Sequence, residues 1–512
     1  MGRPRSWRKT VIVGAGPVGS LAAIYAANRG DEVEVYDLRA DLRDTSTHPS
    51  SLVKSINLAL SERGINALRS AGHNDLLDDI LDTTIPMHGR MIHTATRSGT
   101  LREEAQAYDV HGRYQRSIDR NELSKVLLNK LETMPNVKLF FQQKLTGANF
   151  DSKKAWFEDL SARPKYSPEN PTRRAPEHEV HFDLMIGADG AHSAVRYHLM
   201  KFARVDYTQS YIDCLWSEFT MQPAVQSSRY PGGYQISPNH LHIWPAGSSM
   251  FIALPTHGGN FVCTLFGTVS LFNKLEAAAS PSNGDTSAFL AKFDRLFPGV
   301  TSHIDSASLL EQFRNNPHLP LINIKCAPQH YGSSVVILGD SANAMVPFYG
   351  QGMNAGLESV RTLFDIIDRS KQSASLQEAR FSAQVHEDED IDWHDPEHCL
   401  AAALREYSHT RVADTHAISD LALGNYAEMA SGVTSRRYKL RKYVEESLYK
   451  WFPSLDWKTQ YSRVSFENER YSDVIAKSKR QGKVLDALFN SVGLGAVGGV
   501  VFWIWKYTRV GR

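Results

Sequence analysis

The chain has few cysteines and almost no net charge, and each absence excludes a class of protein. Its 512 residues include only four cysteines, which lie far apart and lack the spacing of metal ligands. A disulfide framework is therefore not expected, and a reducing compartment fits better. The formal net charge is +1, and no basic cluster with interleaved aromatic residues is present. Nucleic acid is accordingly not expected as a partner.

Several enzyme motifs are also missing. There is no Gly-x-Ser-x-Gly elbow and no phosphate-binding P-loop, so hydrolase and kinase functions have no support. The segment from His394 to His398 fits the H-x-x-E-H pattern of zinc peptidases, but Pro396 disrupts a helix there unless it begins one. An exposed acidic loop is the better interpretation, and no metal site is predicted. Two further histidines, His240 and His242, share one face of a strand and are interpreted as hydrogen-bonded sheet residues.

The glycine motif near the N-terminus has the context of a dinucleotide site. A β-branched strand, KTVIVG, precedes Gly14, Gly16 and Gly19, and an Ala-rich helix follows them. A second, alternating strand then ends at Asp37, about 20 residues after the glycines, where a carboxylate accepts ribose hydroxyls. The helix N-terminus offers free N–H groups and a positive dipole end to a pyrophosphate. The order of strand, glycines, helix, strand and acid predicts dinucleotide binding.

The C-terminal segment repeats the glycine spacing without that context. Its glycines, Gly493, Gly495 and Gly498, lie in an apolar stretch from Ala487 to Trp505 that only Asn490 and Ser491 interrupt. A helix of this length crosses a bilayer, and the aromatic and basic residues that follow are typical of a membrane boundary. The alternative is a hydrophobic helix docked on the protein's own core. We predict a transmembrane anchor over 485–507.

Two later stretches end predicted strands with an acid beside glycine. Asp189 in IGADG fits an ordinary Asp-Gly turn. Asp340 in VILGDS precedes a glycine-rich loop and a helix that starts near Asn354. It is either a helix cap or a second contact to the cofactor.

The pattern along the chain predicts an α/β protein with a Rossmann-like cofactor domain and an inserted mixed β-sheet substrate domain. A C-terminal helical region and the transmembrane helix complete the fold. The cofactor domain is predicted to be discontinuous, over 1–85, 112–205 and 319–370, and the substrate domain to cover 86–111 and 206–318. An acidic loop over 371–400 and a helical cap over 401–482 are predicted to follow.

The combination GAGPVG, GADG and LGDSANAMVPFYGQGMNAG resembles the single-component, FAD-dependent aromatic hydroxylases. SINLALSERG, IPMHGRMIH, LHIWP and HAISDLALGNYAEM are similar to the branch of that family that hydroxylates L-kynurenine, an intermediate of tryptophan degradation. The resemblance implies FAD as cofactor, NADPH and O2 as co-substrates, and an outer mitochondrial membrane protein with its catalytic body in the cytosol. It implies no catalytic side chain, because the reduced flavin itself activates oxygen.

The resemblance also implies roles for individual residues. Arg90 and Tyr108 match a pair that binds the substrate carboxylate, a geometry that suits an Arg fork and a phenol. Further substrate contacts are matched by Asn354, Tyr426, Phe348, Tyr349 and Gln351. FAD contacts are matched by Gly14, Gly16, Gly19, Asp37, Arg39, Arg120, Asp189, Asp340, Gly352 and Met353.

Two other functions are compatible with a membrane-attached flavoprotein. The first is an FAD oxidoreductase or epoxidase that acts on a lipid, which offers no carboxylate for Arg90 and Tyr108. The second is a non-catalytic FAD-binding scaffold, which would not oxidise NADPH in response to kynurenine.

Overall fold

The computed structural model describes residues 8–44, 57–162, 174–224, 229–280, 287–381 and 395–487. The strands are β1 (Lys9–Val13), β2 (Glu32–Tyr36), β3 (Asn57–Leu60), β4 (Ile85–Met87), β5 (Gly89–Ala95), β6 (Leu101–Ala107), β7 (Gln115–Asp119), β8 (Val137–Phe140), β9 (Gln143–Asn149), β10 (Lys154–Asp159), β11 (Glu177–His181), β12 (Leu184–Gly187), β13 (Asp206–Met221), β14 (His240–Pro245), β15 (Met250–Pro255), β16 (Phe261–Gly267), β17 (Leu319–Ala327), β18 (His330–Tyr331) and β19 (Val335–Ile337).

The helices are α1 (Pro17–Asn28), α2 (Glu62–Arg69), α3 (Asn74–Asp82), α4 (Arg120–Glu132), α5 (Ala194–Phe202), α6 (Val269–Ala279), α7 (Ser287–Leu296), α8 (Ser306–Asn315), α9 (Gly352–Phe381), α10 (Pro396–Ala430), α11 (Arg436–Trp451), α12 (Gln460–Phe466) and α13 (471–487).

A six-stranded sheet in the order β18-β19-β12-β1-β2-β8 carries the N-terminal glycine turn. All its pairings are parallel except β18 with β19. The β1 segment is almost continuously apolar because helices and a small sheet cover both faces of a parallel sheet. Helices α1, α4 and α9 form one core with this sheet, and β9, β10 and β11 contribute to the core on its other side. The predicted Rossmann-like α/β architecture is confirmed.

A second sheet has seven strands in the order β17-β13-β16-β15-β14-β5-β6. Its strands pair antiparallel except for β14 with β5. Successive side chains of a strand point to opposite faces. Phe251 and Ala253 of β15 accordingly pack into a core with α6, α7 and α8, while Met250, Ile252 and Leu254 line a cavity on the other face. The predicted mixed substrate sheet is therefore present.

A pair of buried histidines lies among the side chains of this sheet. Nε2 of His93 and Nδ1 of His242 are 2.7 Å apart, and Nε2 of His242 is 2.7 Å from the Ser237 carbonyl. Burial, reinforced by the neighbouring imidazoles, lowers the pKa of His93 to about 2 and that of His242 to about 3. We call His93 and His242 the histidine pair. His240 bonds Ser237 Oγ at 2.8 Å, so the strand histidines are hydrogen-bonded as expected.

Some of the predicted boundaries differ from the structure. Strand β17 (Leu319–Ala327) pairs with β13 in the seven-stranded sheet, whereas it was assigned to the cofactor domain. The predicted loop over 371–400 is wrong at both ends, since α9 continues to Phe381 and α10 begins at Pro396. Asp395 caps α10 by accepting a hydrogen bond from the Glu397 amide at 2.9 Å, and a proline is well tolerated at the first helical position.

The zinc-peptidase pattern does not form a metal site in the described part of the chain. His398 lies in the first turn of α10, whereas His394 precedes the helix and lies outside the described residues. No cluster of potential metal ligands occurs among the residues that the structure describes.

The predicted transmembrane anchor falls mostly outside the described residues, which end at Ala487. None of the helices within the described ranges is both long and apolar enough to cross a bilayer.

Candidate active site

The glycine turn between β1 and α1 brings backbone very close to backbone. Gly14 has a φ of +104°, and a Cβ there would lie 2.3 Å from the Ala188 carbonyl oxygen. A Cβ at Gly19 would lie 1.9 Å from the Gly14 oxygen, while a Cβ at Gly16 would meet nothing within 4 Å. Gly14 and Gly19 therefore permit the fold of the turn, and Gly16 leaves open the space that a pyrophosphate needs.

The predicted acid after β2 stabilises this turn. The buried Asp37 carboxylate accepts hydrogen bonds from the amides of Ala15 at 2.7 Å and Arg39 at 2.8 Å. The Arg39 side chain is 70% exposed, with its Nε 3.4 Å from Asp37. Asp37 thus connects the end of β2 to the glycine turn.

The second acid-glycine turn also has a supporting role. Asp189 accepts hydrogen bonds from the Ala194 and Val195 amides at 2.7 and 3.1 Å, at the start of α5. It also accepts from Ser341 Oγ at 2.9 Å, which joins it to the turn that contains Asp340. Its neighbour Gly190 lines the cavity.

One cavity of 310 Å³ runs from the glycine turn to the seven-stranded sheet. It brings together nine of the seventeen predicted site residues, namely Gly16, Arg90, Tyr108, Arg120, Asp340, Phe348, Tyr349, Gly352 and Met353. Its apolar wall includes Leu241, Met250, Ile252, Leu254, Phe266 and Met429. Most of its surface is therefore suited to a largely apolar ligand, with polar groups at particular positions.

Asp340 and Arg120 are the charged groups at the cofactor end of this cavity. Both residues line the cavity, and their side chains are exposed to its interior. The protein packed around the Asp340 carboxyl nevertheless raises its pKa by desolvation, and Arg120 opposes the rise. Together with Gly16, Gly190 and the start of α9 at Gly352, they form the polar surface that FAD requires.

Three predicted substrate contacts instead support the loop before α9. The Asn354 amide donates to the carbonyls of Ala59 at 2.7 Å and Gly350 at 2.8 Å, and its oxygen accepts from the Ser61 amide at 2.9 Å. These bonds connect the loop to β3. Asn354 is fully buried and does not line the cavity.

Gln351 and Tyr426 also lie behind the cavity wall. The Gln351 amide oxygen accepts a hydrogen bond from the Tyr471 hydroxyl at 3.2 Å, and its nitrogen has no partner among the described residues. The Tyr426 hydroxyl donates to the Ser248 carbonyl at 2.5 Å, and its ring packs 4.4 Å from Phe348. These residues position the aromatic loop instead of lining the cavity themselves.

Arg90 and Tyr108 both line the end of the cavity at the seven-stranded sheet. Arg90 projects from β5, and Tyr108 follows β6; both are 5% exposed. An Arg90 Nη bonds a Glu428 carboxylate oxygen at 2.9 Å, and the guanidinium lies 4.7 Å from the centre of the Tyr461 ring. The Arg90 Nε and the Tyr108 hydroxyl form no hydrogen bond within the described residues. They are buried polar groups available to a ligand.

The environment controls the charges at this end of the cavity. Burial alone would lower the pKa of Arg90, but Glu428 and the neighbouring tyrosines raise it, so the guanidinium stays charged. Burial raises the pKa of Tyr108, Tyr349 and Tyr461, which keeps these phenols neutral. The site therefore presents one cation and neutral hydrogen-bond donors to an anionic group.

Two polar residues of this cluster are not among those predicted from the sequence. Glu428 lies two residues after Tyr426 in NYAEM, the stretch that predicts Tyr426 as a substrate contact. Tyr461 stacks on Tyr108 with ring centroids 5.0 Å apart, but it comes from α12, far along the chain, and no local pattern distinguishes it.

The fold and the site define a flavoprotein of the aromatic-hydroxylase type. Residues 8–373 match the family model described as "FAD binding domain". Among solved structures, the chain is similar to 2-methyl-3-hydroxypyridine-5-carboxylic acid oxygenase, with a TM-score of 0.58, 15% identity and coverage of 84% of this chain and 94% of the other. It is also similar to Pseudomonas aeruginosa PqsL in complex with 2-aminobenzoylacetate, with a TM-score of 0.59, 16% identity and coverage of 83% and 97%. At these identities the similarity establishes the fold.

The curated relatives are closer. The kynurenine 3-monooxygenase of Neurospora crassa is 56% identical over 502 residues, which cover 98% of this chain and 94% of the relative. Those of Chaetomium globosum and Aspergillus fumigatus are 55% and 52% identical and cover 93% and 99% of this chain, and 95% and 93% of their own lengths. The chain belongs to the kynurenine 3-monooxygenase family.

Proposed function

We propose that the protein converts L-kynurenine to 3-hydroxy-L-kynurenine with FAD as cofactor and NADPH and O2 as co-substrates. The observation that carries the proposal is the buried Arg90 and Tyr108 at one end of a cavity whose other end is the dinucleotide turn. A guanidinium and a neutral phenol bind the carboxylate of an aromatic amino acid. A lipid without a carboxylate would leave the buried Arg90 Nε and Tyr108 hydroxyl without a hydrogen-bond partner.

The side chains of the site bind, orient and exclude water. FAD, when bound and reduced, supplies the activation of oxygen for transfer of one oxygen atom to the aromatic ring. Arg90 and Tyr108 fix the amino-acid end of the substrate, so that the ring lies along the apolar wall formed by Met250, Ile252 and Phe266. That wall keeps water from the reacting atoms. No side chain is required as a general base.

The direct test is kynurenine-dependent NADPH oxidation by the purified full-length chain in detergent. Absorbance follows NADPH, and mass spectrometry reads the product. The expected result is faster oxidation with a gain of one oxygen atom on the ring. A yellow protein whose NADPH oxidation does not respond to kynurenine would refute the substrate assignment and favour the non-catalytic scaffold.

We further propose that residues 485–507 anchor the protein in the outer mitochondrial membrane, with its catalytic body in the cytosol. The support is the length and apolar composition of the segment and the aromatic and basic residues at its end. Fractionation followed by carbonate extraction tests the proposal. Recovery of the chain in the carbonate-soluble fraction would refute it.

A further inference from the structure

Helix α11 and the turn after it expose an unusual number of large apolar side chains. Leu440, Tyr443 and Trp451 are at positions i, i+3 and i+11 of the helix, which places them on one face. Phe452 and Leu455 follow in the next turn. More than half of each side chain is exposed, rising to 70% for Tyr443 and Trp451. We call these five residues the α11 face. Large apolar side chains concentrated on one exposed face of a folded domain indicate an interaction site.

The helix that carries this face is strongly basic. From Arg436 to Trp451 it has six basic and two acidic residues. The two acids are paired within the helix, Glu445 with Arg441 at 3.1 Å and Glu446 with Lys442 at 3.6 Å. Lys450 has no ion pair among the described residues and lies 5.4 Å from the centre of the Trp451 ring.

Acidic residues of other elements lie near the face as well. Arg437 pairs with Asp486 at 3.0 Å, Lys439 pairs with Glu104 at 2.6 Å, and Asp456 follows the turn. These acids offset most of the positive charge of the helix. Lys450, beside Trp451, is therefore the basic side chain that an anionic partner would meet.

The course of the chain after α11 indicates which kind of partner the α11 face would meet. Helix α13 runs along α11, with Gly482 beside Arg441 and Asp486 beside Arg437. The last described residue, Ala487, thus lies near the N-terminal end of α11. The sequence that follows is almost entirely apolar up to Trp505. The proposed membrane anchor accordingly begins next to the Leu440 and Tyr443 end of the α11 face, and Trp451 lies at the other end of the helix.

We propose that the α11 face lies on the surface of a lipid bilayer that contains anionic headgroups. This inference rests on the proposed membrane anchor. Tyrosine and tryptophan rings are favoured at the headgroup level, and neighbouring lysines and arginines are attracted to anionic lipid. A second copy of the chain suits the face less well, because a symmetric contact would bring the same basic residues together.

Contact with a bilayer at this face also bears on the substrate site. The Tyr438 hydroxyl, on the same helix, donates to the Glu428 carboxylate that binds Arg90, at 3.0 Å. Lys442 donates to the carbonyl of Ala107, next to Tyr108, at 3.0 Å. The helix that contacts the membrane therefore also covers the substrate end of the cavity.

The test places a fluorescent probe on the face of the full-length chain. Trp451→Cys and, as a matched control, Tyr211→Cys at an exposed position on β13 are each made with Cys399→Ser. The other native cysteines are buried. An environment-sensitive dye is attached, and the protein is added to phosphatidylcholine vesicles with or without phosphatidylserine. Vesicles that also carry a nitroxide-labelled lipid quench a probe at the membrane surface.

The expected result is flotation of both proteins with the vesicles, with several-fold stronger quenching at position 451 than at 211. Phosphatidylserine should strengthen the quenching at 451. Flotation without preferential quenching at 451 would overturn the α11 proposal and leave the anchor intact, whereas failure to float would overturn both. A probe at 451 that is shielded before vesicles are added would show that the chain's own C-terminal segment covers the face. If the quenching at position 451 is as strong in vesicles without phosphatidylserine as in vesicles with it, the requirement for anionic lipid is overturned.

Discussion

Replacing Arg90 with alanine should abolish recognition of the substrate carboxylate. The guanidinium is buried, one of its nitrogens bonds Glu428, and Nε has no hydrogen-bond partner among the described residues, so Nε is the donor available to the ligand. Loss of one partner of a buried, hydrogen-bonded charge pair costs about 2–5 kcal/mol. Because each 1.4 kcal/mol is about tenfold, kcat/KM for L-kynurenine should fall by about 30-fold to several thousand-fold.

The same change has a smaller expected effect on folding. A fully buried ion pair that loses one member destabilises the protein by about 3–5 kcal/mol. The Glu428 side chain is 31% exposed and keeps its hydrogen bond from Tyr438, so about 1–2 kcal/mol is expected after allowance for solvent screening. Thermal unfolding and flavin content should therefore show a folded, FAD-loaded variant.

The assay compares L-kynurenine with kynuramine, its analogue without the carboxylate. The original chain should prefer L-kynurenine strongly, and the Arg90→Ala variant should lose that preference. Arg97→Ala, an exposed arginine just after β5, is the matched control and should behave like the original chain. An equal loss of kcat/KM for both compounds in Arg90→Ala would refute the reasoning, since Arg90 would then act through structure instead of through the carboxylate.

Three further predictions follow from the packing. Gly19→Ala should prevent formation of the glycine turn and yield no soluble flavoprotein, because its Cβ would lie 1.9 Å from a carbonyl oxygen. Gly16→Ala, whose Cβ meets nothing within 4 Å, should fold but retain less FAD. Flavin absorbance of the purified variants checks both, and an FAD-loaded Gly19→Ala would contradict the assigned packing. Tyr471→Phe removes the hydrogen bond to Gln351 and should cost about 1 kcal/mol of unfolding free energy. A larger share of NADPH oxidation should then yield hydrogen peroxide instead of product. An unchanged ratio of product formed to NADPH oxidised would show that the bond does not position the loop before α9. In the folded chain the pKa values of His93 and His242 are about 2 and about 3, below the unfolded value near 6.5. Between about pH 3 and pH 6.5 the unfolded chain therefore binds more protons than the folded chain. The free energy of unfolding falls as pH drops through this range, by about 1.4 kcal/mol per pH unit for each histidine. In urea titrations across that range, His93→Asn should have a shallower pH dependence than the original chain, and an identical slope would refute the assignment.

The arrangement of the cofactor turn was predictable from local sequence. A β-branched strand, glycines at fixed spacing, an Ala-rich helix and a terminal acid are close together in the chain, and their backbone requirements are short-range. Gly14, Gly16 and Gly19 consequently have the geometry that their spacing indicates. The period of two of a strand divides β15 between two faces, but its residues are all apolar, so only the packing shows which face meets the core and which lines the cavity.

The prediction was less successful where a residue's role depends on distant segments. Asn354 and Gln351 belong to a motif associated with the substrate, yet their side chains bond to β3 and α13 behind the cavity wall. The stretch over 371–381 is polar and was expected to be a loop, but α9 continues through it to Phe381. Polar composition alone does not distinguish a helix from a loop.

The sequence by itself determined the α/β architecture and the dinucleotide turn, and its resemblance to a known family indicated the flavoprotein class and the roles of Arg90 and Tyr108. Only the tertiary structure brought Glu428 from α10 and Tyr461 from α12 to that pair, and only it exposed the α11 face. The physical reason is that a turn or a strand is selected by the backbone preferences of neighbouring residues. The charge state and accessibility of a side chain depend on which remote elements pack against it.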